Sequence, residues 1–398
     1  MKRNILLFTL IVILLTSTTG CWNRRELNDL AIVAALGIDK QDDKFLVSVQ
    51  VVDPSEVAAN KGRSGSSPVT IYHGTGDTLF EAIRKMTTIT SRKLYFAHLR
   101  MLIIGDEYAK QGIADALDFF SRDPEIRTDF YVVVARGATA SDVLGILTPM
   151  EKIPASKMFS SLEVSEKAWA PTASIHVDEF ITDIVSVGKE AALTGILVDG
   201  DVETGKKRKN LEEPDTPTNL KYTGIAVFNS DKLIGWLNEN ESKGYSNITN
   251  ELYSTIIEVP CPSGGVLGVE VIRSKTNLKG EVKAGKPEIN ISMRTEANVG
   301  EVGCKINFSQ IEEISALEKE VEKVIITNMM QTIRKGKKMG SDIFGFGSVI
   351  HQADPRYWAK VKDNWYELFP ELPVKIKVDV RIRRTGTVGD SFINQVKE

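Results

Sequence analysis

Leu94-Tyr95-Phe96-Ala97-His98-Leu99-Arg100-Met101-Leu102-Ile103-Ile104 is a strongly apolar run, of a length and composition that predict a β-strand. What surrounds it decides the fold class. Before it, Thr78-Leu79-Phe80-Glu81 has the spacing of a capping box, in which the Thr hydroxyl and the Glu carboxylate each satisfy an orphan backbone donor. The helix it opens places Leu79, Ala82, Ile83 and Met86 on one stripe. After it come an amphipathic helix over Ala109–Phe120, a strand over Asp129–Ala135 and a short helix over Ser141–Leu147. Alternation of this kind predicts a mixed or partly parallel sheet with helices packed on it.

Toward the N-terminus, Ala31–Ile38 and Phe45–Val52 are β-rich apolar runs separated by the turn-forming Asp39-Lys40-Gln41-Asp42-Asp43, which predicts a hairpin. Asn60–Pro68 is rich in Gly, Ser and Pro and reads as a loop. Toward the C-terminus, helices over Ser156–Trp169 and Val177–Val187 close a first domain near residue 190. Strands over Leu193–Val198 and Tyr222–Phe228 follow, joined by a connection that carries the basic run Lys206-Lys207-Arg208-Lys209. That run reads as a solvated loop balanced by Glu212 and Glu213; contact with anionic lipid headgroups is the functional alternative.

From Tyr253 the pattern changes. Ile256–Val259, Val266–Ile272 and Ile289–Met293 are short strand-like runs that predict a meander. Ser309-Gln310-Ile311-Glu312 is a second capping-box pattern, opening the longest helix, with Ile311, Ile314, Leu317, Val321, Val324 and Ile325 on its apolar face and Gly336 and Gly340 ending it. An Asp342-Ile343-Phe344-Gly345-Phe346-Gly347 turn with two buried rings, an aromatic-rich helical stretch over Pro355–Phe369 and a final strand over Val374–Ile382 complete the chain. The expected architecture is α+β. It has three mixed α/β domains in series, over 21–190, 191–252 and 253–398, the last an antiparallel sheet with one long helix.

Residues 1–20 have the layout of a secretory signal: the basic Met1-Lys2-Arg3, the apolar run Ile5–Leu15 interrupted by Thr9, then small residues to Gly20. These eleven residues rise only about 16 Å as a helix, half the ~30 Å hydrocarbon core, so the run is too short to span. Cys21 follows at once, and Thr18-Thr19-Gly20-Cys21 resembles a bacterial lipobox, with Thr18 where Leu usually stands. The expectation is cleavage between Gly20 and Cys21, with diacylglycerol on the Cys21 thiol. An ordinary signal peptide with an incidental cysteine is the alternative. Two acyl chains meet the requirement for stable anchoring, at ~0.8 kcal/mol per buried methylene.

Composition narrows the function classes. The 398 residues are 42% hydrophobic and 26% charged, which is ordinary for globular protein, and a net charge of −3 offers nothing to nucleic acid. Cys261 and Cys304, the other two cysteines, give no spacing to test, so a disulfide and a pair of free thiols both stay open. His73, His98, His176 and His351 are scattered, none at a helical metal-ligand spacing, and no phosphate-binding glycine loop or nucleophile elbow occurs. No catalytic, metal or cofactor residue is therefore nominated. The reading is of an anchored protein without an enzyme's motifs, against which an anchored solute-binding protein or hydrolase competes. A solute-binding protein would need two similar lobes.

Several stretches taken together are similar to one family. They are Cys21-Trp22-Asn23-Arg24-Arg25-Glu26-Leu27 with Gly37-Ile38-Asp39, Thr78–Arg84, Leu94–Gly105, Gly112–Arg127, Asp342–Gly347, Trp358, Trp365 and Val378–Gly386. In this order they resemble the Ger(x)C lipoproteins, the C subunits of spore germinant receptors. The resemblance implies a noncatalytic subunit, lipid-anchored through Cys21 on the outer face of the spore inner membrane. Its partners would be an A subunit and a permease-like B subunit, with no tight small-molecule ligand of its own.

Overall fold

The computed structural model describes residues 3–5, 29–58, 67–261, 264–304 and 306–386. Gly20, Cys21 and the stretch to Asn28 lie outside them, as does most of the Asn60–Pro68 loop.

The described strands are β1 (Leu30–Gln41), β2 (Lys44–Val52), β3 (Val69–Gly76), β4 (Lys93–Tyr95), β5 (Met101–Ile104), β6 (Tyr131–Ala135), β7 (Ala192–Asp199), β8 (Asn219–Asn229), β9 (Lys232–Leu237), β10 (Thr255–Pro260), β11 (Val266–Lys283), β12 (Lys286–Val302) and β13 (Val374–Arg384). Helices used below are α1 (Leu79–Lys85), α2 (Ala114–Arg122), α3 (Pro154–Ala168), α4 (Val177–Val185), α5 (Glu239–Thr249), α6 (Ile311–Met339) and α7 (Phe346–Ala353).

β1 to β9 form one mixed sheet in the order β3-β2-β1-β5-β6-β7-β8-β9, with β4 also paired to β1. The hairpin over Ala31–Val52 is present, closed by Asp42 and Asp43 at φ 49° and 62°. β1, β5, β6 and β7 run parallel at the centre. Every residue of β5 and β6 is buried, as expected of parallel strands covered on both faces.

Three expectations change here. The run Leu94–Ile104 is two short strands, β4 and β5, both paired to β1, with His98 exposed on the segment between them. The helix expected over Ala109–Phe120 is two helices, because Gly112 at φ +123° breaks the turn and Asp231 accepts the Ala114 N–H at 3.1 Å to start α2. The segment 191–252, expected as a small middle domain, supplies β7, β8 and β9 to the large sheet. No sheet boundary falls at residue 190, because the apolar faces of these strands are covered only when they extend β6.

The second sheet has the order β10-β11-β12-β13. Its meander is much longer than the apolar runs suggested. β11 and β12 span 18 and 17 residues and turn at Ala284 (φ 49°) and Gly285 (φ 75°). Their polar residues sit on the exposed face of a strand pair buried on one side, and a reading of apolar runs alone takes such residues for loop. The sheet is also not wholly antiparallel. β13 lies parallel to β12 because the chain crosses over through α6 between them.

α6 buries Leu317, Val321, Ile325, Met329 and Ile333, while Ile311 at its start is 76% exposed. Its first turn lacks the expected capping box: Gln310 is the cap residue and its side chain makes no capping bond. Gly336 lies inside the helix, with an added Cβ 2.9 Å from the Phe344 ring; Gly340, at φ +68°, ends it. Glu318 and Glu322 have a specific task. They accept the Ile382 and Val380 N–H groups at 2.9 and 3.2 Å, satisfying the open edge of β13 that would otherwise invite strand addition.

Cys261 and Cys304 are joined as a disulfide across 43 residues, tying the end of β10 to the segment after β12. The two sheets differ in strand number and topology, so the molecule is not a pair of matching lobes.

Candidate interaction face and joint

The first candidate surface is a cleft of about 870 Å³ between α1 and α2. Thr78 caps α1 by accepting the Glu81 N–H at 3.1 Å, and Glu81 reaches back to the Asp77 N–H at 2.8 Å, one residue before the cap. Leu79 and Ala82 are thereby turned into the core, leaving Phe80 outward and 51% exposed. Its ring stands 6.4 Å from that of Phe119 on α2 and lies under the Arg84 guanidinium at 4.9 Å. Phe45, Leu94 and Phe96 line the cleft more deeply.

Charges of both signs surround this apolar interior. Lys93 pairs with Glu125 at 2.6 Å and Arg122 with Asp118 at 2.7 Å, leaving Asp115 and Asp123 to tilt the rim toward negative. Arg122 holds the Asp118 carboxyl below its usual range, and the Lys85 ammonium does the same for Glu81. Pairs this exposed add little stability. They keep an apolar opening soluble. An exposed phenyl ring at the mouth of a cleft of this size is the pattern of a contact surface.

The cleft also has a position relative to the chain's start. Leu30, the first residue of β1, pairs with Lys93 on the cleft rim. Cys21 precedes Leu30 by nine residues, a reach of at most roughly 30 Å.

The second feature is the joint between the sheets, built from Asp342-Ile343-Phe344-Gly345-Phe346-Gly347. Phe344 and Phe346 are both buried, as the sequence predicts, and their rings stack at 5.0 Å. The rest of the motif is explained only by contacts. The Asp342 carboxylate accepts the Phe346 and Gly347 N–H groups at 3.0 and 2.8 Å, starting α7, while its carbonyl accepts the Glu190 N–H at 2.9 Å. Ser341 donates to the Phe228 carbonyl at 2.6 Å. Gly347 has to be glycine because a Cβ there would lie 2.5 Å from the Gly188 Cα and 2.8 Å from Trp358. The joint thus locks the segment after α6 against β8 and the segment that leads into β7 of the large sheet.

The histidines are as dispersed in space as in sequence. His73 shares a 2.9 Å hydrogen bond with Ser48, His176 stacks on Tyr131, and His351 stacks on Trp358. Among the described residues no group of three or more His, Cys, Asp or Glu is placed to hold a metal, and no helix is long and apolar enough to cross a membrane. In the basic run, Lys206 pairs with Asp142 at 2.8 Å and Glu203 at 3.2 Å, and buried Asn210 pins the loop to the Leu147 and Thr218 carbonyls. That arrangement fits a loop balanced by local acids.

Residues 23–198 match the family described as the spore germination protein N-terminal domain, and residues 223–386 match the spore germination B3/GerAC-like C-terminal domain. The chain is 31% identical to spore germination protein KC of Bacillus subtilis (strain 168) over 406 residues, covering 100% of both. It is 25% identical to spore germination protein B3 of the same organism, covering 96% of this chain and 98% of that relative. Among solved structures, the crystal structure of the GerBC protein matches with a TM-score of 0.53 at 21% identity, covering 87% of this chain and 96% of that one. This last likeness concerns the fold.

Proposed function

Because the chain belongs to the spore germination B3/GerAC-like family, we propose that it is the lipid-anchored, noncatalytic subunit of a nutrient germinant receptor, working through contacts with membrane-embedded A and B subunits. The observation that carries this reading is likeness along the entire chain, both family halves in order, to a spore germination protein. The geometry supports it. The apolar cleft between α1 and α2, with Phe80 at its mouth, lies beside the start of β1, nine residues after Cys21.

Anchoring explains how modest surfaces can suffice. A domain held at a membrane meets its neighbours at a high effective concentration, so weak individual interfaces give a stable assembly. In this reading diacylglycerol on Cys21 holds the cleft near the outer face of the spore inner membrane, where the partner subunits present their exposed segments.

The test is to replace Cys21 with Ala in the spore-forming host and follow nutrient-triggered germination together with incorporation of a fatty-acid analogue. Loss of label and a strong loss of germination are expected, with germination partly recovered when an unrelated transmembrane anchor replaces the first 21 residues. Full label on the variant, or normal germination of spores lacking the chain altogether, would refute the reading.

A further inference from the structure

The outer face of the second sheet carries charge that the fold does not use. Side chains alternate across a strand, so Ile289, Ile291 and Met293 of β12 turn inward, while the even-numbered residues from Glu288 to Glu296 turn outward. Register sets Arg273, Lys275 and Lys279 of β11 opposite Glu296, Arg294 and Asn290. On the other side of β12, Lys377, Asp379 and Arg381 of β13 stand beside Ser292, Arg294 and Glu296. β10 pairs with β11 only as far as Val271, so this part of the face belongs to β11, β12 and β13 alone. From Arg273 to Lys279 and across to β13, every outward position is polar or charged.

The acids of this face are already taken. Glu281 holds Lys279 at 2.9 Å and Lys283 at 2.5 Å, Glu288 holds Lys375 at 2.6 Å, Glu296 holds Arg383 at 2.6 Å and Asp379 holds Arg381 at 3.2 Å. Lys275, Arg294 and Lys377 are exposed, and among the described residues no carboxylate pairs with any of them. Lys275 and Arg294 stand directly opposite each other on neighbouring strands, an arrangement of like charges that destabilises a sheet. Folding therefore does not account for them, in a chain whose formal net charge is −3.

We propose that this face of β11, β12 and β13 is a docking surface for an anionic lipid bilayer, with Lys275, Arg294 and Lys377 at its centre. A protein contact surface has an apolar and aromatic core, and the outward positions here offer none. Lipid headgroups are a layer of negative charge that needs no such core, and lysines and arginines within a Debye length of them are attracted. The basic run at Lys206 differs in this respect, because its lysine is held by Asp142 and Glu203. The proposal draws on the anchored reading for one thing: a tethered chain keeps this face at a high effective concentration near the bilayer, so weak attraction is enough. Contact here would restrict the tumbling of the tethered chain and fix the direction in which the cleft between α1 and α2 is presented.

The test reconstitutes the full chain in vesicles of phosphatidylcholine, alone or with about one-third phosphatidylglycerol, and adds a membrane-impermeant amine-acylating reagent. Mass spectrometry reads each lysine. Lys275 and Lys377 are expected to react at least about threefold more slowly in the anionic vesicles, with the difference lost at about 0.5 M salt. Lys221 and Lys360, exposed elsewhere on the molecule, should react alike in both. Arg294→Glu should remove most of the protection of Lys275 and leave Tm unchanged or raised, because it turns opposed like charges into an ion pair. Equal rates in the two kinds of vesicle, or protection that survives both high salt and Arg294→Glu, would overturn the proposal. Protection in native membranes without any in vesicles would overturn it as well, replacing the lipid with an acidic protein surface. Vesicles retain the chain whether acyl chains or an uncut apolar signal hold it, so failure here leaves the receptor reading and its Cys21→Ala test standing.

Discussion

The indole Nε1 of Trp365 donates to the carboxylate of Asp342 at 2.9 Å, in a site where both side chains are fully buried. The bond joins the turn after α6 to the aromatic segment 23 residues later, and it completes the set of donors around a carboxyl that also starts α7. A buried acid with this many donors is a structural pin. Its removal should be costly in proportion to the donors left behind.

Asp342→Ala is accordingly expected to destabilise the protein by about 2–5 kcal/mol, since the Phe346 and Gly347 N–H groups and the Trp365 indole would lose their acceptor. Urea unfolding followed by tryptophan fluorescence measures it. A pH dependence accompanies the loss. Burial raises the carboxyl from 3.8 to about 6, against the hydrogen bonds from Gly347, Phe346 and Trp365. The folded state therefore holds this proton more tightly than the unfolded chain does. The associated stability is present below pH 3.8 and is lost as pH rises through about 6. The alanine variant should lack that part of the slope, and a variant that keeps it would reassign the effect to another acid.

Leu317→Asp tests the face of α6. Leu317 is only 4% exposed, on the stripe that continues through Val321 and Ile325. An unpaired carboxylate there should cost about 3–5 kcal/mol or leave the C-terminal sheet unfolded. An unchanged melting temperature would mean that this stripe is open to solvent.

Cys304→Ser opens the disulfide to Cys261. The bond closes a loop of 43 residues, and its loss is expected to remove about 2–4 kcal/mol, mainly by freeing the unfolded chain. Comparing denaturant midpoints with and without a reducing agent gives the same quantity independently. Identical midpoints would show that the disulfide adds no net stability to the folded protein.

Phe80→Glu separates contact from stability. The ring is half exposed, so its replacement should change the folding free energy by less than about 1 kcal/mol. If the cleft between α1 and α2 is the partner surface, germination and cross-linking to the membrane-embedded subunits should nonetheless fall sharply. A variant that germinates normally would exclude the cleft and direct attention to other faces.

The sequence by itself settled what local chemistry controls. The Asp42-Asp43 hairpin, the Thr78 cap, the four-residue spacing along α6 with its stop at Gly340 and the paired rings of Phe344 and Phe346 are written in neighbouring residues, and they stand where the pattern put them. The family was legible as well, because its stretches recur in order along the chain. Tertiary structure alone decided what depends on partners far away in the sequence. β7, β8 and β9 join the large sheet because β6 offers an unpaired edge, and no feature within residues 192–237 says so. Polar β11 and β12 run 18 and 17 residues because one face of each is covered by other elements. Glu318 and Glu322 look like surface charge until β13 presents bare N–H groups beside them. The Glu251 carboxyl is raised to about 7 chiefly by burial in the tertiary fold, assisted by Glu166 and Asp183 from distant parts of the chain. Propensity and periodicity act over a few residues, whereas desolvation and hydrogen-bond satisfaction depend on the whole surroundings of a group. Only the folded chain supplies those surroundings.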